Sequence, residues 1–184
     1  MKKLLCLAAA AALLLAFAAC GAKDTLAGAP EEILAQLKGA VTVELPMSFD
    51  SEVTAENAQN ALGLTEAQFG EYVDSAYESA AAITTFAQST AVVKCKSAAA
   101  AAEVKKLVAA GFDSKKWICV FPEQSVVVES GSYVLLAVGK AQATDALVGA
   151  FKSISGGNIG SPNVFFTSGG EPEGGNGGGD LVLF

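Results

Sequence analysis

The sequence predicts an α+β domain: a small antiparallel sheet of about four strands, in the order β-β-α-β-β-α, with its helices packed on one face. Three observations carry this. Glu78 to Lys96 holds two β-prone stretches around a polar middle, and "QSVVVESGSYVLLAVG" holds two more around Ser130-Gly131, the pattern of a hairpin. Each pair is followed by a stretch with helical spacing of apolar residues. Short hairpin connections pair strands antiparallel and leave the following helices to cover a sheet face.

Taken in order, "APEEILAQLKGA" reads as a short helix, with Pro30 in its first turn, Glu31 and Glu32 at its positive end and Gly39 as its stop. "VTVEL" is a brief strand candidate closed by Pro46. Thr54 opens "TAENAQNALGL", and Thr65 opens "TEAQFGEYV" with Gln68 three residues on, the spacing of a capping box. Strand candidates follow at Glu78–Ile83 and Ser89–Lys96. "SAAAAAEVKKLVAAGF" is a helix by its alanine content, with Val104, Leu107 and Val108 at 3-4 spacing and Gly111 as C-cap. Val126–Glu129 and Tyr133–Val138 form the hairpin. "QATDALVGAFKSI" closes the set as an amphipathic helix with Ala146, Leu147, Ala150 and Phe151 on one stripe. About 100 residues, 54–154, suffice for one modest core.

The ends give an address. Lys2 and Lys3 precede the apolar run Leu4–Ala19, which is short for a spanning helix of about 20 residues and has the layout of an export signal. Ala16-Phe17-Ala18 offers an ordinary cleavage site. "FAAC", Phe17 to Cys20, instead resembles the lipobox of bacterial lipoproteins, with Phe where Leu is usual. On that reading residues 1–19 are signal peptide and Cys20 is lipidated. Two or more acyl chains hold a protein stably at a membrane. Residues 20–53 are then an anchored tether with a short helix. At the other end, residues 155–184 read as a flexible glycine-rich tail, since "SGGEPEGGNGGGD" cannot bury enough apolar surface to offset the entropy of ordering it. The tail finishes in "LVLF", whose Phe184 is a candidate partner contact through strand pairing or insertion into a groove.

With Cys6 and Cys20 accounted for, the mature domain keeps Cys95 and Cys119. Export permits a disulfide between them. Period-two alternation places Cys95 with Ala91 and Val93, and Cys119 with Trp117 and Phe121, on inward strand faces. That suits two buried thiols and a cross-strand bridge equally.

Charge and composition narrow the function classes. The chain has 12 basic and 19 acidic residues, and no histidine. Without Lys2 and Lys3 the mature charge is 10 − 19 = −9. All the cations are lysine, which makes nucleic acid or anionic lipid headgroups poor partners. Absence of histidine excludes Ser-His-Asp and Cys-His catalysis and every histidine metal site, and no cofactor or metal is expected. "AVGKA" fails as a phosphate loop because Val134 and Ala141 replace the needed Gly and Ser/Thr. "GNGGGDLVL" is one imperfect calcium nonapeptide without the neighbouring repeats that build such a site. The acid pairs Asp50/Glu52 and Glu123/Glu129 have no supporting motif for glycosidic cleavage. Trp117, beside Lys115 and Lys116, is either a core tryptophan or a partner contact.

"FGEYVDSAYESAAAITTFAQSTAVVKCK", the alanine-rich helix, and "WICVFPEQSVVVESGSYVLLAVGK" with its closing helix together resemble a family of bacterial lipoproteins that share a small domain of unknown function. The resemblance spans about residues 54–154 and rests on element order and on "SGSYVLLAVG". It implies anchored export and a single α+β domain; it implies no activity and no site residue. The resulting expectation is a non-enzymatic lipoprotein, lipid-anchored on the extracytoplasmic face of the cell membrane, that binds a protein or cell-wall partner. The alternatives are a small-solute-binding component of a transport system and a wall-active hydrolase using carboxylates.

Overall fold

The computed structural model describes residues 26–83, 85–117 and 119–168, so Cys20 and Phe184 lie outside the described residues. Its elements are α1 (Pro30–Ala40), β1 (Ser48–Glu52), α2 (Ala58–Leu62), α3 (Glu66–Tyr72), β2 (Val73–Ala81), β3 (Ser89–Cys95), α4 (Ala98–Gly111), β4 (Gln124–Ser130), β5 (Tyr133–Gly139), α5 (Ala141–Ile154) and β6 (Asn163–Thr167). The strands form one open antiparallel sheet in the order β1-β2-β3-β5-β4-β6. The α+β class and the two hairpins are as the sequence predicts.

The sheet is larger than four strands, and its helices cover both faces. Val53, Ala58, Ala61, Leu62 and Leu64 join Val104, Val108 and Phe112 over one face, packed on Ala91, Val93, Val127, Val134 and Leu136. Ile33, Leu34 and Leu37 of α1 join Leu147, Ala150 and Phe151 of α5 over the other, packed on Val92, Val128, Leu135 and Ala137. The cause is visible in the central strands. "VVV" and "YVLLAV" are apolar at successive positions rather than alternate ones, so both faces need a cover. The expectation of helices on one face treats those strands as half-solvated, which they are not.

The folded unit is correspondingly longer than 54–154. Helix α1, expected as part of a tether, is a full member of the second core layer, and Leu26 packs there too. Strand β1 pairs with β2 at one edge, with Phe49 opposite Ala80 and Glu52 opposite Tyr77. "VTVEL" is an irregular connection, and the strand begins after Pro46. Strand β6, inside the expected tail, pairs with β4 at the other edge.

Local chemistry fixes the smaller elements. The Thr65 hydroxyl accepts from the Gln68 N–H at 3.3 Å while the Gln68 side chain accepts from the Thr65 N–H at 2.9 Å, closing the predicted capping box. The Ser97 hydroxyl accepts from the Ala100 N–H at the start of α4. Gly111 is the last residue of α4, and Phe112 takes the C-cap position. Gly63, at φ +75°, lies against the backbone of Gly111 and Phe112, and a Cβ on Gly111 would strike the Gly63 carbonyl oxygen. The two glycines let the α2–α3 connection touch the end of α4 backbone to backbone.

Candidate functional site

Pairing across the sheet places the end of β2, the start of β3, the end of β5, the start of β4 and the end of β6 in one row. Four connections meet above that row: the segment after α1, the β2–β3 turn, the stretch from α4 to β4, and the β5–α5 junction. They enclose an open cleft of about 680 Å³. Val43, Leu45, Pro46, Phe86, Phe121 and Pro122 supply its apolar lining; Glu44, Gln88, Glu123, Lys140 and Gln142 supply polar groups. The large apolar side chains that remain exposed gather at this same end: Met47, Phe49, Ile83, Phe86 (44% exposed) and Phe121 (58% exposed). Solvated aromatics flanking a concave surface are what a docking site presents.

Glu123 organises the floor. Its carboxylate accepts from the Ala141 N–H at 3.0 Å, where the first amides of α5 lack helical partners. Its backbone N–H donates to the Gly139 carbonyl at 2.9 Å, and its carbonyl accepts from the Ser168 N–H at 2.9 Å. One residue therefore ties β4, the β5–α5 junction and the exit of β6. The neighbouring Gln124 side chain donates to Thr144 and Asp145 of α5, both at 2.9 Å.

A second polar cluster lies on the α4 face. Burial pushes the Glu78 carboxyl above its ordinary range, and the Lys116 charge and Ser89 hydroxyl offset only part of that. Burial likewise pushes Lys116 down, against the attraction of Glu78 and Asp113. The Lys116 ammonium donates to the Asn60 carbonyl at 2.6 Å and lies over the rings of Phe112 (4.7 Å) and Trp117 (5.1 Å).

The structure separates the residues singled out from sequence. Cys95 is buried in the α4-face core and Cys119 is exposed; both are free thiols, so the disulfide is not formed. The shared inward face of Trp117, Cys119 and Phe121 is also corrected. The Lys115 N–H donates to the Asp113 side chain at 2.8 Å, starting a turn, and Pro122 has no N–H for a ladder. The stretch is irregular: Trp117 packs half-buried against the core, 6.4 Å from the Phe112 ring, while Cys119 and Phe121 face outward. Cys20 and Phe184 are outside the described residues.

The carboxylate pairs do not form acid-base sites. Burial works to raise the Asp50 carboxyl, but hydrogen bonds from Ser79 (2.6 Å) and Lys38 (2.9 Å) and the Lys38 charge outweigh it and hold Asp50 low. Glu123 and Glu129 stand at opposite ends of β4, six residues or about 20 Å apart, and Glu129 pairs with Lys105 at 2.6 Å. Among the described residues no group of three or more His, Cys, Asp or Glu could hold a metal ion, and no helix is long and apolar enough to cross a membrane. The sequence reading misses Phe86 and Phe121 as cleft residues because it leaves "TTFAQ" as the polar middle between two strands and takes Phe121 as an inward strand residue. Their signal is a large aromatic in a short polar or proline-bearing connection. No protein-family model, curated protein or solved structure matches this chain.

Proposed function

We propose that this chain is a non-enzymatic lipoprotein, anchored through Cys20 on the extracytoplasmic face, that binds a protein or cell-wall partner through the cleft at the end of its sheet. The observation that carries this reading is the position of Phe86 and Phe121, exposed beside a cleft at the end of the sheet opposite the start of α1. The Tyr133 hydroxyl donates to the Gly28 carbonyl at 2.8 Å, which fixes the N-terminal side of the fold beside the β4–β5 turn. From there α1 runs to Lys38, whose ammonium bonds Ser79 and Asp50 near the cleft. The stretch from Cys20 to Leu26 reaches at most about 20 Å. A lipid on Cys20 thus holds the β4–β5 turn near the bilayer and presents the cleft away from it. The exposed aromatics then face a partner, not the anchoring membrane.

The small-solute reading draws support from the cleft volume, which lies within the range of about 300–1,000 Å³ typical of ligand pockets. The cleft is open to solvent, however, and a second lobe to close it is not part of the described fold. The resemblance to small bacterial lipoproteins of unknown function remains part of the proposal, as support for the anchor alone.

Two measurements test it. Metabolic labelling with an alkynyl fatty acid is expected to tag the chain and to fail in Cys20→Ser; equal labelling of both would refute the anchor. Surface crosslinking in the native cells is expected to capture one dominant partner with the wild-type chain and to lose it with Phe86→Asp/Phe121→Asp. Capture indifferent to those substitutions would refute the cleft.

A further inference from the structure

We propose that the cleft at the end of the sheet takes a neutral, N-acetylated oligosaccharide, the chemistry of a cell-wall glycan strand. The proposal rests on the reading of the cleft as a binding site and names the class of ligand it holds.

The first ground is free hydrogen-bonding capacity. Thr42, Glu44, Thr85, Gln88, Lys140 and Gln142 line the cleft, and none of these side chains has a hydrogen-bond or ion-pair partner among the described residues. They belong to the segment after α1, the β2–β3 turn and the β5–α5 junction. An apolar segment laid over them would strip their water and leave each buried group unpartnered, at about 1–3 kcal/mol apiece. A sugar chain carries donors and acceptors around every ring and replaces that water.

The second ground is charge. The Glu123 carboxylate is already met by the Ala141 N–H at the positive end of α5. The charges left for a ligand are Glu44 and Lys140, one of each sign, so the cleft selects neither an anion nor a cation. The third is stacking. Phe86 and Phe121 are exposed beside the cleft from two different connections. The face of a phenyl ring is the negative part of its quadrupole, and the axial C–H groups of a pyranose form a flat, weakly positive face that lies against it.

The acetyl group follows from the rest of the lining. Val43, Leu45, Pro46 and Pro122 offer nothing to a hydroxyl but suit the methyl of an acetamido group. The N–H and C=O of that group pair with a side-chain amide, and Gln88 supplies one. Gln88 is half-buried and lies over Gly139, where a Cβ would come within 3.3 Å of its Cγ. The absence of that Cβ gives the Gln88 side chain its seat on the cleft floor.

The test is calorimetric titration of the full mature chain with the β-1,4-linked tetramer of N-acetylglucosamine, and with the glucose tetramer of the same linkage. The acetylated tetramer is expected to bind, and the glucose tetramer to bind more weakly. Phe121→Ala and Gln88→Ala should each weaken binding about tenfold. Phe121→Tyr keeps the ring and should bind like wild type, which separates loss of stacking from loss of fold. No heat of binding at millimolar tetramer, equal or tighter binding of the glucose tetramer, or an affinity unmoved by Phe121→Ala would overturn the inference. If the tetramer does not bind while surface crosslinking still captures a protein through Phe86 and Phe121, the ligand class falls and the binding site stands. If crosslinking is indifferent to those residues as well, both fall.

Discussion

At the scale of single residues, burial decides what each titratable or reactive group can do. Glu78 has a folded pKa above its unfolded one, so its proton is bound more tightly in the native state. The stability this provides is present below about pH 4.5 and lost as pH rises through the folded value. Glu78→Gln should therefore gain urea midpoint relative to wild type more at pH 7 than at pH 4.5; an equal effect at both would contradict the assignment. Asp50 works with the opposite sign. Its lowered pKa stabilises above the ordinary carboxylate range and is lost as pH falls through the folded value. The thiols divide in the same way. Burial pushes Cys95 up to about 12, whereas Cys119 is exposed. A thiol reagent at neutral pH should modify Cys119 in the native protein and reach Cys95 only after denaturation. Equal resistance of both would point instead to a disulfide. Sequence reveals the Thr65–Gln68 cap because it depends on two side chains three residues apart. The outward turn of Cys119 and Phe121 is hidden because Asp113 and Pro122, beyond the alternating stretch, override its period.

At the scale of elements, glycine context separates cost from gain. Gly63 and Gly111 meet backbone to backbone, so Gly63→Ala combines a strained positive φ with a collision and should cost about 2–3 kcal/mol. Gly149, within α5, has open space where a Cβ would go, and Gly149→Ala should instead stabilise by about 0.5–1 kcal/mol. Thermal or urea unfolding of the two variants reads both signs. Helix α1 tests the extent of the fold. Leu34 is 1% exposed and packs on the α5 face, so Leu34→Ala should cost about 2–5 kcal/mol; a tether residue would cost nothing measurable. The helices at 97–112 and 142–154 and the central hairpin are legible because their periods are long and unbroken. Strands β1 and β6 are not: "SFDSE" is polar and mostly exposed, and "NVFFT" is short and borders a glycine-rich stretch. Their strand character comes from pairing with β2 and β4, a tertiary cause that local propensity does not carry.

For the whole molecule, the consequence of the topology is orientation. The start of α1 and the cleft lie at opposite ends of the sheet, and seven-residue strands set a separation of about 24 Å. In membranes bearing the lipidated protein, a fluorophore attached through Gly131→Cys should be quenched strongly by a lipid-phase quencher and one attached at Cys119 weakly; the reverse order would invert the proposed orientation. The sequence carries "FAAC" as a lipobox-like pattern, but the placement of the start of α1 at the sheet end opposite the cleft depends on the α1 trajectory and is visible only in three dimensions. The sheet has one further property at this scale, set by its open margins. An unpaired strand is a template on which another chain can add, and charge is what discourages it. Strand β1 carries Asp50 and Glu52 on that margin, whereas β6, with Val164, Phe165 and Phe166, carries none. The molecule is guarded against polymerisation on one side only.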